Sequence, residues 1–510
     1  MTTNRDPIHI VGGGVAGLVA AITVAQGGAP VIVHEAGSAL GGRARSGAGP
    51  DGATVFGANT GPHVLFADGV VTQWLHAQRI AVAMRRPSVR GAAVITDGRA
   101  RSVPDVGFAW NGLRHVRTEA PVDECFDTWA TRFMGEADAA ALARWAGLLT
   151  FHHDPGSLSA RFVWDRCRRV LARPDHVRSV TGGWSSLIDA LAARARARGV
   201  TIETGAALDR LPEQGPVILA TGLPVASALL GQDLTWTGSR AALLDVALAT
   251  PASGRRRPIV VDLSEDLRTC CLVDRVTATD GTLAPPGIDL LQAQLGIGPE
   301  VPEAEGIGRI ERVLDIGFPG WRTDERWRRA HVMTDATGAV DHPGATWRDR
   351  PAISRGDGRF LAGDMAAAPG LLSEVAVNSA VRAAHLALDA HRQRAFAPGW
   401  PSATLTPTMR VVLLAASLPV AVTQSAVVAA PVDEAWEIEP GAEAEPYFQL
   451  RTGRLHTVAV GAASDDQVIG ADGATTTVTV AVGTRFSTSA VVRWLLARIA
   501  RRELRRHRPR

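Results

Sequence analysis

Ile8-His9-Ile10-Val11-Gly12-Gly13-Gly14-Val15-Ala16-Gly17-Leu18 decides the fold of this 510-residue chain. A short β-branched run stops at a glycine cluster, and a helix of small apolar residues begins. A second apolar run, Val31-Ile32-Val33-His34-Glu35, then ends in an acid. Gly12 permits a tight turn, Gly14 lets backbone amides approach a pyrophosphate, and Gly17 lets the helix lie close on the strand. Ala16 sits in the first turn, where the helix N-terminus supplies positive potential. Glu35 follows at the distance from which a carboxylate binds a ribose hydroxyl. Strand, turn, helix, second strand and acid stand in register, so the stretch reads as a dinucleotide-binding βαβ unit rather than a chance Gly-x-Gly-x-x-Gly.

The rest of the composition bounds the classes. The length exceeds one ordinary core and suggests about three domains. A hydrophobic content of 46% describes a globular protein. The 54 basic residues are all arginine and stand against 51 acidic ones, with no long basic stretch interleaved with aromatics before the C-terminus. Nucleic acid is therefore not an expected partner. The absence of lysine removes Schiff-base and lysine-base chemistry. Cys125, Cys167, Cys270 and Cys271 lack metal or disulfide spacing, and no metal site is expected. No signal peptide precedes the first strand, so the cytoplasm is the expected compartment.

After Glu35, the segment Leu40-Gly41-Gly42-Arg43 offers a second close backbone approach and a guanidinium in reach of a phosphate. In this segment the chain resembles the FAD-dependent oxidoreductases of the flavin amine oxidase, phytoene desaturase and protoporphyrinogen oxidase superfamily. The resemblance implies an α/β fold: a glutathione-reductase-type FAD-binding Rossmann domain interleaved with an α+β substrate domain. It implies that Phe56-Gly57-Ala58-Asn59-Thr60-Gly61-Pro62-His63 runs past the flavin ring, with Gly57 and Asn59 at the cofactor. His63 is the leading acid/base candidate, although a single His beside an apolar run also fits a structural role.

From Trp74 to about Arg173 the spacing predicts helices, which the family uses as a substrate cap. His152 and His153 fall within this stretch, and as neighbours on a helix they would not share a metal. Val180-Thr181-Gly182-Gly183-Trp184 leads into a helix over Leu187 to Ala197 and a strand over Val200 to Glu203. By resemblance, backbone near Leu208 approaches adenine. Val217 to Gly222 reads as a buried parallel strand ending in a glycine turn, placing Ala220 and Thr221 near the dinucleotide. Ala242 to Val276 holds strand-like runs suited to a substrate-domain sheet, and Trp321, Trp327 and Trp347 fit either a pocket wall or core.

Arg359-Phe360-Leu361-Ala362-Gly363-Asp364, followed by Pro369-Gly370-Leu371-Leu372-Ser373-Glu374, reads as a strand, a small-residue loop and a helix over Ser373 to His391. Gly363 and Asp364 then stand where ribityl hydroxyls are held. Leu372 and Ser373 lie at a helix N-terminus facing the flavin. No second Rossmann unit separates Gly222 from Arg359, so tightly bound NAD(P)H is not expected. Electrons would come from a hydrophobic small molecule and leave to dioxygen or a quinone.

This ordering divides the chain into FAD-binding segments at 1–75, 179–235 and 346–397, a helical cap at 76–178, a substrate sheet at 236–345 and a C-terminal domain at 408–510. Val420 to Val428, followed by Pro431 to Trp436, resembles the start of a START-like, polyketide-cyclase-like helix-grip domain in shortened form. A helix over Ser489 to Arg506 would close it. Its arginines fit a solvated face or, in the sharper reading, an anionic membrane surface. Within the flavin superfamily, amine oxidation is disfavoured, because its members use a lysine-held water and an aromatic cage, whereas this chain has no lysine and one tyrosine, Tyr447. A redox-neutral isomerase or mutase, or a ligand-binding fusion holding FAD structurally, are the remaining alternatives.

Overall fold

The computed structural model describes residues 6–48, 55–60, 64–102, 107–253, 256–264, 268–395, 420–428, 448–452, 457–464 and 476–484. The chain divides into two compact units, 1–397 and 398–510.

A five-stranded parallel sheet forms the first layer of unit one. Its order is Thr201–Thr204, Val31–Glu35, Ile8–Val11, Val217–Leu219, Arg359–Leu361. Its strands come from three distant segments, because a parallel pair cannot be closed by a hairpin and needs a crossover. The helix Val15–Gln26 makes the first crossover, and nine consecutive residues, Ala16 to Val24, are buried. A helix apolar on every side needs cover on every side. The helices Trp184–Ala197 and Ser373–Ala395 share its core with the sheet. A Cβ at Gly27 would lie 2.5 Å from Leu388, which shows how closely the first and last helices approach.

A second sheet of seven strands holds Glu325–Ala339, Gly238–Ala249, Ile288–Gly296, Cys271–Arg275, Ile259–Asp262, Ala93–Thr96 and Arg99–Arg101 in that order. All its pairs are antiparallel except Ile259–Asp262 with Ala93–Thr96. The expectation of helices throughout Trp74 to about Arg173 is corrected here. Residues 84–101 supply strands, and Asp97 and Gly98, with φ of 52° and 67°, form the two-residue turn that hairpins favour. Helices occupy the remainder, chiefly Phe126–Met134, Glu136–Thr150 and Ala160–Ala172. His152 and His153 lie beyond the helix, after the left-handed Phe151, with rings 4.4 Å apart. The helical argument against a shared metal therefore does not apply. Among the described residues no group of three or more His, Cys, Asp or Glu could hold one. Cys167, Cys270 and Cys271 are free and buried.

Unit two contains a four-stranded antiparallel sheet in the order Val420–Val428, Thr476–Thr484, Thr457–Ser464, Phe448–Thr452. Val420–Val428 coincides with the run at which the C-terminal domain was expected to start. The expected helices at Pro431 to Trp436 and Ser489 to Arg506, and Tyr447, lie outside the described residues. Among the described residues no helix is long and apolar enough to cross a membrane.

Candidate functional site

The C-terminal ends of the parallel strands meet at the glycine cluster. Gly12 has φ +106°, and a Cβ there would sit 2.5 Å from the Ala220 carbonyl oxygen. Only glycine holds that left-handed turn while the neighbouring strand passes this close. Ala220 is fixed by donating to the Val11 carbonyl at 2.8 Å, and Thr221 follows at the strand's end. A Cβ at Gly17 would come within 1.8 Å of the Gly12 carbonyl oxygen, so helix and turn touch through backbone alone.

Gly14 precedes the first helical residue. No side chain caps this helix, and its first turn, which includes Ala16, carries no acid. The orphan N–H groups of a helix start need partners, and here the protein supplies none from a side chain. Gly41 bridges to Gly14 and donates to the Gly13 carbonyl at 2.9 Å, which brings the Gly41-Gly42 turn alongside. A Cβ at Gly14 would meet only the Gly41 oxygen, at 3.8 Å, and one at Gly42 only Gly14, also at 3.8 Å. The space above this pair is open, lined by backbone, and set at a helix N-terminus. That arrangement fits a pyrophosphate.

Glu35 lies at the edge of the same cleft. Its Oε2 accepts from the Gly13 N–H and its Oε1 from the Gly37 N–H, both at 2.7 Å. Its carbonyl oxygen accepts from Ala206 at 2.9 Å, which ties in the segment leading to the half-buried Leu208.

Arg43 crosses the cleft. Its two terminal nitrogens donate to Asp364 Oδ2 and Oδ1 at 2.7 and 2.8 Å, a bidentate pair between residues 321 positions apart. Burial alone would raise the Asp364 carboxyl, but the guanidinium overrides it and holds the group below the usual carboxylate range. Gly363 is anchored beside it, donating to Ser379 Oγ at 2.9 Å. Leu372 adopts a left-handed φ of 52° just before the helix Ser373–Ala395. That is a strained conformation for a side chain of this size. The helix end expected at Ser373 carries Glu374 in its first turn. This buried carboxylate accepts from the Leu371 N–H at 3.1 Å and the Val70 N–H at 3.2 Å.

Gly57 and Asn59 are placed differently, against the second sheet. A Cβ at Gly57 would press on Leu283 at 2.4 Å. Asn59 Oδ1 accepts from the Trp184 N–H, and its carbonyl accepts from Gln292 Nε2 at 2.8 Å and Arg329 at 2.9 Å. Arg329 and Gln292 also hold Asp245, which is 1% exposed. Burial lifts the Asp245 carboxyl above its ordinary range despite the guanidinium. Trp321 is core and Trp327 packs at a tilt against Phe56, ring centroids 5.0 Å apart, so neither stands free as a pocket wall. His63 lies outside the described residues.

Sequence reading passed over Asp245, Gln292, Gln294, Arg329 and His331. Their signal was present in Leu290-Leu291-Gln292-Ala293-Gln294-Leu295: polar residues two apart within an apolar run put both on one face of a strand.

A family profile described as an NAD(P)-binding Rossmann-like domain matches residues 10–77. Among curated proteins, no sequence matches significantly. Of the solved structures, an oxidoreductase from Methanosarcina mazei superposes with a TM-score of 0.58 at 18% identity, over 74% of this chain and 99% of its own. Cyclohexylamine oxidase from Brevibacterium oxydans gives 0.54 at 15%, over 76% and 99%. Reduced UDP-galactopyranose mutase gives 0.51 at 12%, over 76% and 94%. At such identities these likenesses show the fold, which is mixed α/β with a Rossmann-like domain.

Proposed function

We propose that the chain is an FAD-dependent oxidoreductase, a desaturase or dehydrogenase that removes hydride from a hydrophobic small molecule and passes the electrons to dioxygen or a quinone-type acceptor. The observation that carries this reading is the Arg43–Asp364 pair, which joins the glycine turn beside Gly14 to the end of the last parallel strand. Two glycine-rich turns from opposite ends of the unit thereby border one cleft. Bound FAD supplies the hydride acceptor. The chain's own residues bind and orient it. The uncapped helix start at Gly14 takes the pyrophosphate, and Glu35, already fixed by two amides, accepts from ribose hydroxyls. Asp364 accepts from ribityl hydroxyls, with Arg43 keeping it ionised. His63 is the proposed proton acceptor. Absence of lysine favours carbon oxidation over amine oxidation. We place the protein in the cytoplasm, with the arginine-rich C-terminus as its proposed point of membrane contact.

The test is anaerobic mixing of FAD-loaded protein with a panel of hydrophobic alcohols, polyenes and amines. Bleaching in one-to-one proportion to an oxidised product is expected. Conversion of a compound to its isomer with no net bleaching would overturn the assignment.

A further inference from the structure

The seven-stranded sheet buries one face in apolar core through Val246, Leu291 and Val273 among others, a core that also takes in Trp321. Side chains alternate along a strand, so the partners of Asp245 and Leu243 share the opposite face. Asp245 is in register with Arg329 on one side and Gln292 on the other, and Gln292 with Asp274. The next row reads His331, Leu243, Gln294, Leu272.

The first row is tied internally. Arg329 and Gln292 Nε2 both donate to Asp245, and Gln292 Nε2 also donates to the Asn59 carbonyl. Both partners of that nitrogen are acceptors, which fixes the orientation of the amide and aims Gln292 Oε1 elsewhere. This oxygen is buried without a hydrogen-bond partner. The same holds for Gln294 Oε1 and for both ring nitrogens of His331. Gln292 and Gln294 are 0% and 4% exposed. Four orphaned polar atoms on three side chains of adjacent rows are far from the native norm, since each unpaired buried group costs stability. A sheet face needed only for packing would carry leucine or valine there.

The location fits a ligand. The row with Gln292 touches Asn59, in the segment expected at the cofactor. One row beyond Gln294, Gly296 is covered by the backbone beyond the cap helix, where a Cβ would lie 2.6 Å from the His152 oxygen. These two covers stand four residues apart on one strand, about 13 Å. The Gln294 row lies between them.

We propose that Gln292, Gln294 and His331 bind the polar end of an amphipathic small molecule that has an apolar body and an uncharged end bearing hydrogen-bond donors, such as vicinal hydroxyls. The proposal rests on the oxidoreductase reading for what the ligand is used for. Gln292 Oε1, held in place by its amide's two bonds, only accepts, so the ligand must donate to it. Burial pushes the His331 imidazole below its ordinary range, leaving a neutral ring with one donor and one acceptor. Arg329 is committed to Asp245, which leaves a carboxylate end without a counter-charge here. Leu243 and Leu272 flank the polar atoms and suit the apolar body.

Gln294→Leu and His331→Leu test this in the full chain, by two readouts. In thermal melts of the ligand-free protein each variant should melt a few degrees higher, because an unpaired group is removed. A melting temperature that stays the same or falls would mean that these groups are not left unpaired in the ligand-free fold, and would overturn the proposal. In equilibrium dialysis trans-cyclohexane-1,2-diol should bind wild type about tenfold tighter than cyclohexanone, which has the same ring and no donor, and Gln294→Leu should erase the difference. Equal affinities in wild type, or no diol binding, would overturn the ligand class. Flavin content is measured on the same samples. A flavin-free protein would refute the oxidoreductase reading, whereas the melts and dialysis would still decide this one.

Discussion

Replacing Gly14 by alanine separates cofactor binding from folding. Gly14 has φ −78° and ψ −171°, an extended conformation open to any residue, and its added methyl would meet only the Gly41 oxygen at 3.8 Å. The unligated fold should change by less than about 1 kcal/mol, because the restriction alanine places on the unfolded chain opposes its poorer fit at a helix N-cap. The same methyl occupies the open space above the helix start. Displacing one amide–phosphate hydrogen bond costs about 1.5–3 kcal/mol, or roughly 10- to 150-fold in affinity. Gly17→Ala is the contrast, since its methyl would lie 1.8 Å from the Gly12 oxygen and force helix from turn. Calorimetric melts of the flavin-free proteins and titration with FAD read the two effects. A Gly14→Ala protein that binds FAD as tightly as wild type would refute the placement of the pyrophosphate.

Three further outcomes are expected. Arg43→Gln should leave stability within about 1 kcal/mol, because the guanidinium side chain is 45% exposed, while FAD retention on desalting falls about tenfold or more; unchanged retention would remove Arg43 from the site. Burial pushes the Asp274 carboxyl up to about 7 from 3.8, so the unfolded chain releases its proton first and stability is lost as pH rises from about 4 to 7. Asp274→Asn should then exceed wild type in urea melts at about pH 8 by about 2 kcal/mol, the full gap of about 4 being reduced by solvent access, and match it at about pH 3; no gain at pH 8 would refute this. Burial, then neighbouring His153, pull the His152 imidazole down to about 4 from 6.5; the stability this preserves above pH 6.5 should fall by about 3 kcal/mol as pH drops towards 4, and His152→Gln should flatten that acid limb in the same urea melts, an unchanged limb counting against it.

The Rossmann-like half of unit one was legible because its signals are local. A β-branched strand, a glycine turn and an uncapped helix leave their marks within a dozen residues, and Gly12, Gly17 and Glu35 occupy the positions their residue types require. The pairing of Arg43 with Asp364 was not legible, since nothing in either segment states that they meet; the parallel sheet order brings them together. Residues 84–101 were misread for a related reason. Strands of two to four residues carry too few alternations to outweigh the helical periodicity around them. Asp245, Gln292 and Gln294 sat inside apolar runs whose overall hydrophobicity masked the alternation, and only the register between strands shows that Asp245 shares the face of the two glutamines. The partnerless state of His331 is a property of the tertiary surroundings and has no signature in the chain.

The most direct test of the central claim is to denature the purified full-length protein and identify the released small molecule by mass spectrometry, with its amount set against protein concentration. The proposed function predicts FAD at close to one per chain, lost in parallel from Gly14→Ala and Arg43→Gln. Protein that releases no flavin and takes none up on incubation with FAD, or that retains a nicotinamide dinucleotide instead, would contradict it.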